Sequence, residues 1–202
     1  MDFYNGGTLH FHLRRAVQFD EVQTRFYAAQ LVLALSHLHT YKIVYRDLKP
    51  EKILLDDQGF LALIDFGLSH DHTCCSTPEY IAPELIRRVV PYGKAVNCWS
   101  IRILMFEMLA GCTHLYHANW KRTVQNIVKL PLRFPSGFSE DARAYLRGLI
   151  CRINLAKRLG SGPCGAQEIM DHVFLSDTDW EKLYNPTDGP VRWRSDQRPG
   201  IL

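Results

Sequence analysis

The sequence predicts a mainly α-helical domain that carries one small β-hairpin. Three patterns support this: two long runs with helical periodicity, at 20–40 and 94–110, and a pair of short apolar runs joined by a turn sequence. In the first run Val22, Phe26, Ala29 and Leu33 recur at steps of four, three and four, which puts them on one helical face. Asp20 is placed to cap this helix, with Gln23 three residues on as its capping-box partner. In the second run Val96, Trp99, Ile103, Phe106 and Ala110 step by three or four, and Gly111 supplies a stop. Ile101, Leu104, Met105 and Met108 occupy its other faces, so this helix is expected at the centre of the domain, buried nearly all round. The apolar runs Ile53-Leu54-Leu55 and Leu61-Ala62-Leu63-Ile64 flank Asp56-Asp57-Gln58-Gly59, a turn composition that predicts a hairpin. Further helices are expected at 120–128, 139–152 and 165–171. The stretch 69–80 lacks periodicity and reads as an exposed loop, and 185–202 as a tail without its own core.

Composition narrows the function classes. With 202 residues, 47% of them hydrophobic, the chain is long enough to build one sizeable core without staples. A net charge of +3 gives no reason to expect nucleic acid or an anionic membrane surface as partner. The six cysteines accompany an N-terminus without an apolar signal segment, so reduced thiols and a cytoplasmic or nuclear location are expected. The longest apolar stretch, 99–109, is broken by Ser100, Arg102 and Glu107, and no membrane span is expected.

The chemistry is concentrated in Tyr45-Arg46-Asp47-Leu48-Lys49-Pro50-Glu51-Lys52. It is followed by Asp65-Phe66-Gly67 and then by Thr77-Pro78-Glu79-Tyr80-Ile81-Ala82-Pro83-Glu84. Phosphoryl transfer to a hydroxyl needs a carboxylate to orient the hydroxyl, a cation on the transferring phosphate and a second carboxylate for Mg²⁺. Asp47, Lys49 and Asp65 supply those three groups. Each triplet alone is ordinary surface sequence; their ordered occurrence, with a hairpin between the first two and a polar loop before the third, is not.

These motifs resemble the eukaryotic protein kinases, in particular the AGC group of Ser/Thr kinases. Tyr before Arg46-Asp47, Ser76-Thr77-Pro78-Glu79-Tyr80, Tyr92-Gly93-Lys94-Ala95-Val96 and Lys157-Arg158-Leu159-Gly160 carry the group resemblance. It implies a protein-kinase-like fold of which this chain is the C-terminal lobe, spanning 1–184. Within it, 1–9 would be the hinge, 45–52 the catalytic loop and 65–84 the activation segment. It further implies ATP against Asp2, Leu9 and Leu54, with Asp47 as base, Lys49 on the phosphate, Asp65 on Mg²⁺ and Thr77 beside the base. Thr73 falls at the activating phosphothreonine position with Arg46 as its partner; an unmodified, exposed threonine is the alternative. Glu51 and Glu107 match carboxylates that clamp basic residues of a protein substrate, and Thr8 stands where a third is often found. Glu84 and Arg158 match a buried structural ion pair. His70, His72, Cys74 and Cys75 lack the paired spacing of structural zinc sites.

Several positions depart from the family pattern. Lys52 replaces the Asn that binds a second Mg²⁺; its ammonium repels a cation and is free to pair with Asp47 or Asp65. Asn97 replaces an Asp that accepts backbone N–H groups of the catalytic loop, and Cys98, Arg102 and Leu155 replace a usual Trp, Gly and Pro. The glycine-rich loop and strand lysine of the N-terminal lobe have no counterpart in the sequence. The expectation is a truncated, catalytically impaired Ser/Thr kinase. A pseudokinase binding module, and a kinase whose upstream residues lie outside this sequence, stand beside it. An apolar face including Leu9, Leu54 and Phe66 is expected to be open, favouring self-association or a protein partner.

Overall fold

The computed structural model describes residues 4–66, 78–88, 93–150 and 155–184. In chain order these form helices α1 (Leu9–Ala16) and α2 (Glu21–Thr40), strands β1 (Ile53–Leu55) and β2 (Leu61–Leu63), and helices α3 (Pro83–Ile86), α4 (Ala95–Ala110), α5 (Trp120–Lys129), α6 (Glu140–Gly148), α7 (Ala166–Met170) and α8 (Trp180–Tyr184). Single 3₁₀ turns lie at Pro50–Lys52, Pro78–Tyr80, Leu155–Lys157 and Val173–Leu175. This is the expected architecture, helical with one two-stranded antiparallel sheet. None of the helices among the described residues is long and apolar enough to cross a membrane.

The axis is α4. Every residue of it except Glu107 and Ala110 is buried, as its all-round apolar pattern predicts. It ends at Gly111, whose φ of +76° closes the last turn through an N–H···O bond to Glu107 at 2.7 Å. α2 packs along α4. Its capping box forms as expected: Gln23 N donates to Asp20 Oδ1 at 2.7 Å and Asp20 N to Gln23 Oε1 at 3.3 Å. The buried face of α2 is only in part the expected one: Ala29 is wholly buried and Phe26 half-buried. Val22 is 71% exposed and Leu33 half-buried, while Ala28, Leu31, Leu35 and Leu38 face the core. The helix is apolar on more than one side, and a stripe starting in its first turn runs past the edge of the core.

α1 was not announced by periodicity, because only Leu9 and Leu13, one turn apart, are buried in its eight residues. Thr8 Oγ1 caps it by accepting from Phe11 N at 3.2 Å. This corrects the expected open face: Leu9 is wholly buried, because it opens α1 and its side chain points into the core with Leu13. Leu54 is half-buried, and Phe66 is 44% exposed. The segment before α1 pairs with the hairpin: Gly6 N donates to Leu55 O at 3.0 Å and Leu55 N to Gly7 O at 2.8 Å.

The hairpin sets the register of the site. Ile53 pairs with Leu63, Leu54 with Ala62 and Leu55 with Leu61. The turn is held by Asp56, whose Oδ1 accepts from Gln58 N at 2.9 Å and Phe60 N at 2.8 Å. Gln30, buried in α2, accepts from Leu61 N at 2.9 Å and so ties β2 to the core. At the start of α4, the buried Arg158 binds Glu84 through its two terminal guanidinium nitrogens, at 2.6 and 3.1 Å, and Ala95 O at 2.6 Å. That is the structural ion pair read from the sequence. The helix expected at 139–152 ends earlier, at Gly148, with Leu149 as its C-cap, whose N–H turns back to Arg147 O and Tyr145 O. Gly67, Thr73, Thr77, the His and Cys residues of 70–75, Asp2 and the 185–202 segment lie outside the described residues.

Gly111 is the position where a side chain costs most. A Cβ there would lie 2.4 Å from Val17 O, on a backbone already at φ +76°. Gly111→Ala is expected to lower unfolding stability by at least about 2 kcal/mol in urea titration, the order of a left-handed non-glycine residue with a clash added.

Candidate active site

The hairpin brings the two acidic motifs together. Ile64 N donates to Lys52 O at 3.1 Å, which extends the strand register by one pair and sets Lys52 beside the segment holding Asp65. Pro50 opens the turn that carries Glu51 and Lys52 toward β1. Arg46 and Asp65 both have positive φ, 63° and 62°. Such backbone is costly for a side-chain-bearing residue, and Val17, Lys42 and Arg88 share it outside the two motifs.

Asp47 and Lys49 are buried together, 6% and 7% exposed, with Lys49 Nζ 3.0 Å from Asp47 Oδ1. Asp47 N donates to Tyr45 O at 2.8 Å. Lys52 Nζ binds Asp65 Oδ2, so of the two carboxylates open to it on the sequence reading the structure selects Asp65. The Asp65 side chain is 49% exposed and that of Lys52 22%. Each acidic group of the presumed chemistry thus has an ammonium on it.

Tyr45, noted in the sequence only as a group marker, is structural to the site. Its OH donates to Ile64 O and its ring meets Phe66 edge-on at 5.4 Å, fastening the 45–52 segment to the Asp65 segment. Burial, with the charges of Asp47 and Asp65 added, pushes its hydroxyl far above the ordinary range, so it stays a donor. A second residue that sequence reasoning missed is His39, at the end of α2. Asn97 of α4 stands between it and the loop: Arg46 N donates to Asn97 Oδ1 at 3.3 Å, and Asn97 Nδ2 lies 2.9 Å from His39 Nε2. His39 and Asn97 are 58 positions apart in the chain, and no periodicity or motif signals the link.

The two expected substrate carboxylates are each engaged. Glu107 accepts from Tyr80 OH, and Glu51 lies 3.7 Å from His10 Nδ1. Burial raises the Glu107 carboxyl above its usual range, and the Glu51 charge nearby raises it further. Thr8, the third position, spends its hydroxyl on the cap of α1 and pairs with Leu54 across an isolated bridge. Among the described residues no cluster of three or more His, Cys, Asp or Glu side chains is arranged to hold a metal.

The model of the protein kinase domain family matches residues 1–175 of the chain. The chain belongs to the protein kinase family. Its relatives include cAMP-dependent protein kinase type 3 of Saccharomyces cerevisiae, 43% identical over 91% of this chain. The serine/threonine-protein kinase gad8 of Schizosaccharomyces pombe is 46% identical over 90% of it, and human ribosomal protein S6 kinase alpha-1 is 45% identical over 91%. These are AGC kinases, in agreement with the group resemblance. The chain spans 47%, 32% and 26% of the lengths of these relatives respectively.

Burial, with the Lys94 charge added, lowers the His39 pKa from 6.5 to about 4. The unfolded chain therefore binds this proton near pH 6.5 and the folded chain only near 4, so acidification through that window favours unfolding. Stability should fall between pH 6.5 and 4 more steeply in the native chain than in His39→Gln, which cannot titrate. Burial also lowers His37 and His172, so the comparison between the two chains isolates the His39 contribution in pH-dependent denaturation.

Proposed function

We propose that this chain is the larger lobe of a protein Ser/Thr kinase whose phosphotransfer is impaired by Lys52. Asp47 would orient the substrate hydroxyl and accept its proton, and Lys49, kept beside Asp47, would reach the transferring phosphate with another of its N–H groups. The observation that carries the reading is the Lys52–Asp65 pair. An ammonium ligates no cation, and this one engages an oxygen of the carboxylate that family members place on Mg²⁺. The donor set therefore does not fit a pair of divalent cations, and no step is assigned to one.

Magnitudes set the expected severity. The carboxylate is about half exposed, and a pair this open is worth roughly 1 kcal/mol or less, so the lysine hinders a cation without locking it out. A protein substrate follows from the family reading. A preference for basic residues would be weakened, since Tyr80 holds Glu107, His10 faces Glu51 and Thr8 replaces a third acid. A second reading, a protein-binding module without phosphotransfer, draws on the exposed Phe66 ring.

In a complete kinase domain containing this lobe, Lys52→Asn should raise phosphotransfer to a basic Ser/Thr peptide at least about tenfold, about 1.4 kcal/mol of barrier. Equal turnover with and without the substitution removes the support for impairment by Lys52. Absence of turnover in both leaves the binding module as the better reading.

A further inference from the structure

The geometry points to His39 as a positioning residue that holds the catalytic loop through Asn97, acting as a neutral acceptor with its proton on Nδ1. The argument starts from Arg46, whose backbone N–H can only donate. Its partner at 3.3 Å is one end of a wholly buried amide, and that end must be the oxygen. This fixes the orientation of the Asn97 side chain and turns its NH₂ toward His39 Nε2, 2.9 Å away. An amide NH₂ has no acceptor capacity, so Nε2 must present a lone pair. An imidazole with a lone pair on Nε2 carries its proton on Nδ1.

The surroundings favour the same state. His39 is half-buried, and the ammonium of Lys94, just before α4, opposes a charged ring. The link matters because of where it ends. Arg46 has φ +63°, and it is the residue before Asp47. The Asn97 oxygen accepts the N–H that this conformation presents, and His39 keeps that oxygen in place by binding the other end of the amide. A carboxylate at position 97 would reverse the requirement: facing an acceptor oxygen, Nε2 would have to carry the proton. Asn97 and His39 are therefore a matched pair, and changing one relocates the proton of the other.

The proton position stands on geometry alone; only its consequence for turnover rests on the kinase reading, so the test uses no activity. In long-range ¹H–¹⁵N spectra of the 202-residue chain at pH 7, His39 Nε2 should report as the unprotonated nitrogen. In Asn97→Asp the proton should move to Nε2. Hydrogen exchange at the Arg46 amide should accelerate about fivefold in His39→Leu, the equivalent of one hydrogen bond. It should return toward the native rate in His39→Gln, whose carbonyl can accept from Asn97. A native His39 protonated on Nε2, or an Arg46 amide that exchanges equally in the native chain and His39→Leu, overturns the inference. If His39→Leu fails to fold, the spectrum of the native chain decides it.

Discussion

A helix buried on nearly every side leaves no polar group on it that water can satisfy, and this constraint on α4 organises the domain. Asn97, Ser100, Arg102 and Glu107 all lie on that helix, and the first three are fully buried. A buried polar group without a partner costs about 1–3 kcal/mol, so each must meet another element. Asn97 meets the Arg46 amide and His39, Ser100 Oγ donates to Tyr80 O at 3.0 Å, and Glu107 accepts from Tyr80 OH. The Arg102 guanidinium lies 4.5 Å from the centre of the Trp99 ring, and its Nη2 is 3.3 Å from His114 Nε2. The loops that carry function are thus attached to the core through the polar residues of its most apolar helix.

The site built on this frame has a simple electrostatic pattern. Lys49 neutralises a buried carboxylate and Lys52 a half-exposed one, and the two pairs differ in what displacing them costs. Removing a partner from a buried pair leaves an uncompensated charge and is expensive, whereas an exposed pair is worth roughly 1 kcal/mol or less. Asp47 is therefore firmly held by its lysine, while Asp65 can exchange its lysine for another cation at modest cost.

Much of this was legible in the sequence, and the failures have identifiable causes. The all-round apolar pattern of α4, the capping box of α2 and the Asp-Asp-Gln-Gly turn are local signals, and all three appear as read. Position-by-position resemblance named Asp47, Lys49 and Asp65, and the structure brings Lys49 onto Asp47 and Lys52 onto Asp65. Leu9 was placed on an open face because position in a hinge says nothing of side-chain direction; the helix starting at Leu9 decides it. The buried face of α2 coincides with the expected one only at Ala29 and, in part, Phe26, because a helix apolar on several sides offers more than one stripe. Tyr45 and His39 act through a single hydrogen bond each, to Ile64 O and to Asn97, and such long-range pairings leave no periodic trace.

The central claim is that Lys52 occupies Asp65 where a kinase places a divalent cation. Mn²⁺ titration of the chain, read by paramagnetic broadening at Asp65, tests it most directly. Lys52→Asn should bind Mn²⁺ at this carboxylate about two- to fivefold more tightly than the native chain, the range that loss of an exposed ion pair allows. Equal broadening of Asp65 at the same Mn²⁺ concentration in both chains would contradict the account.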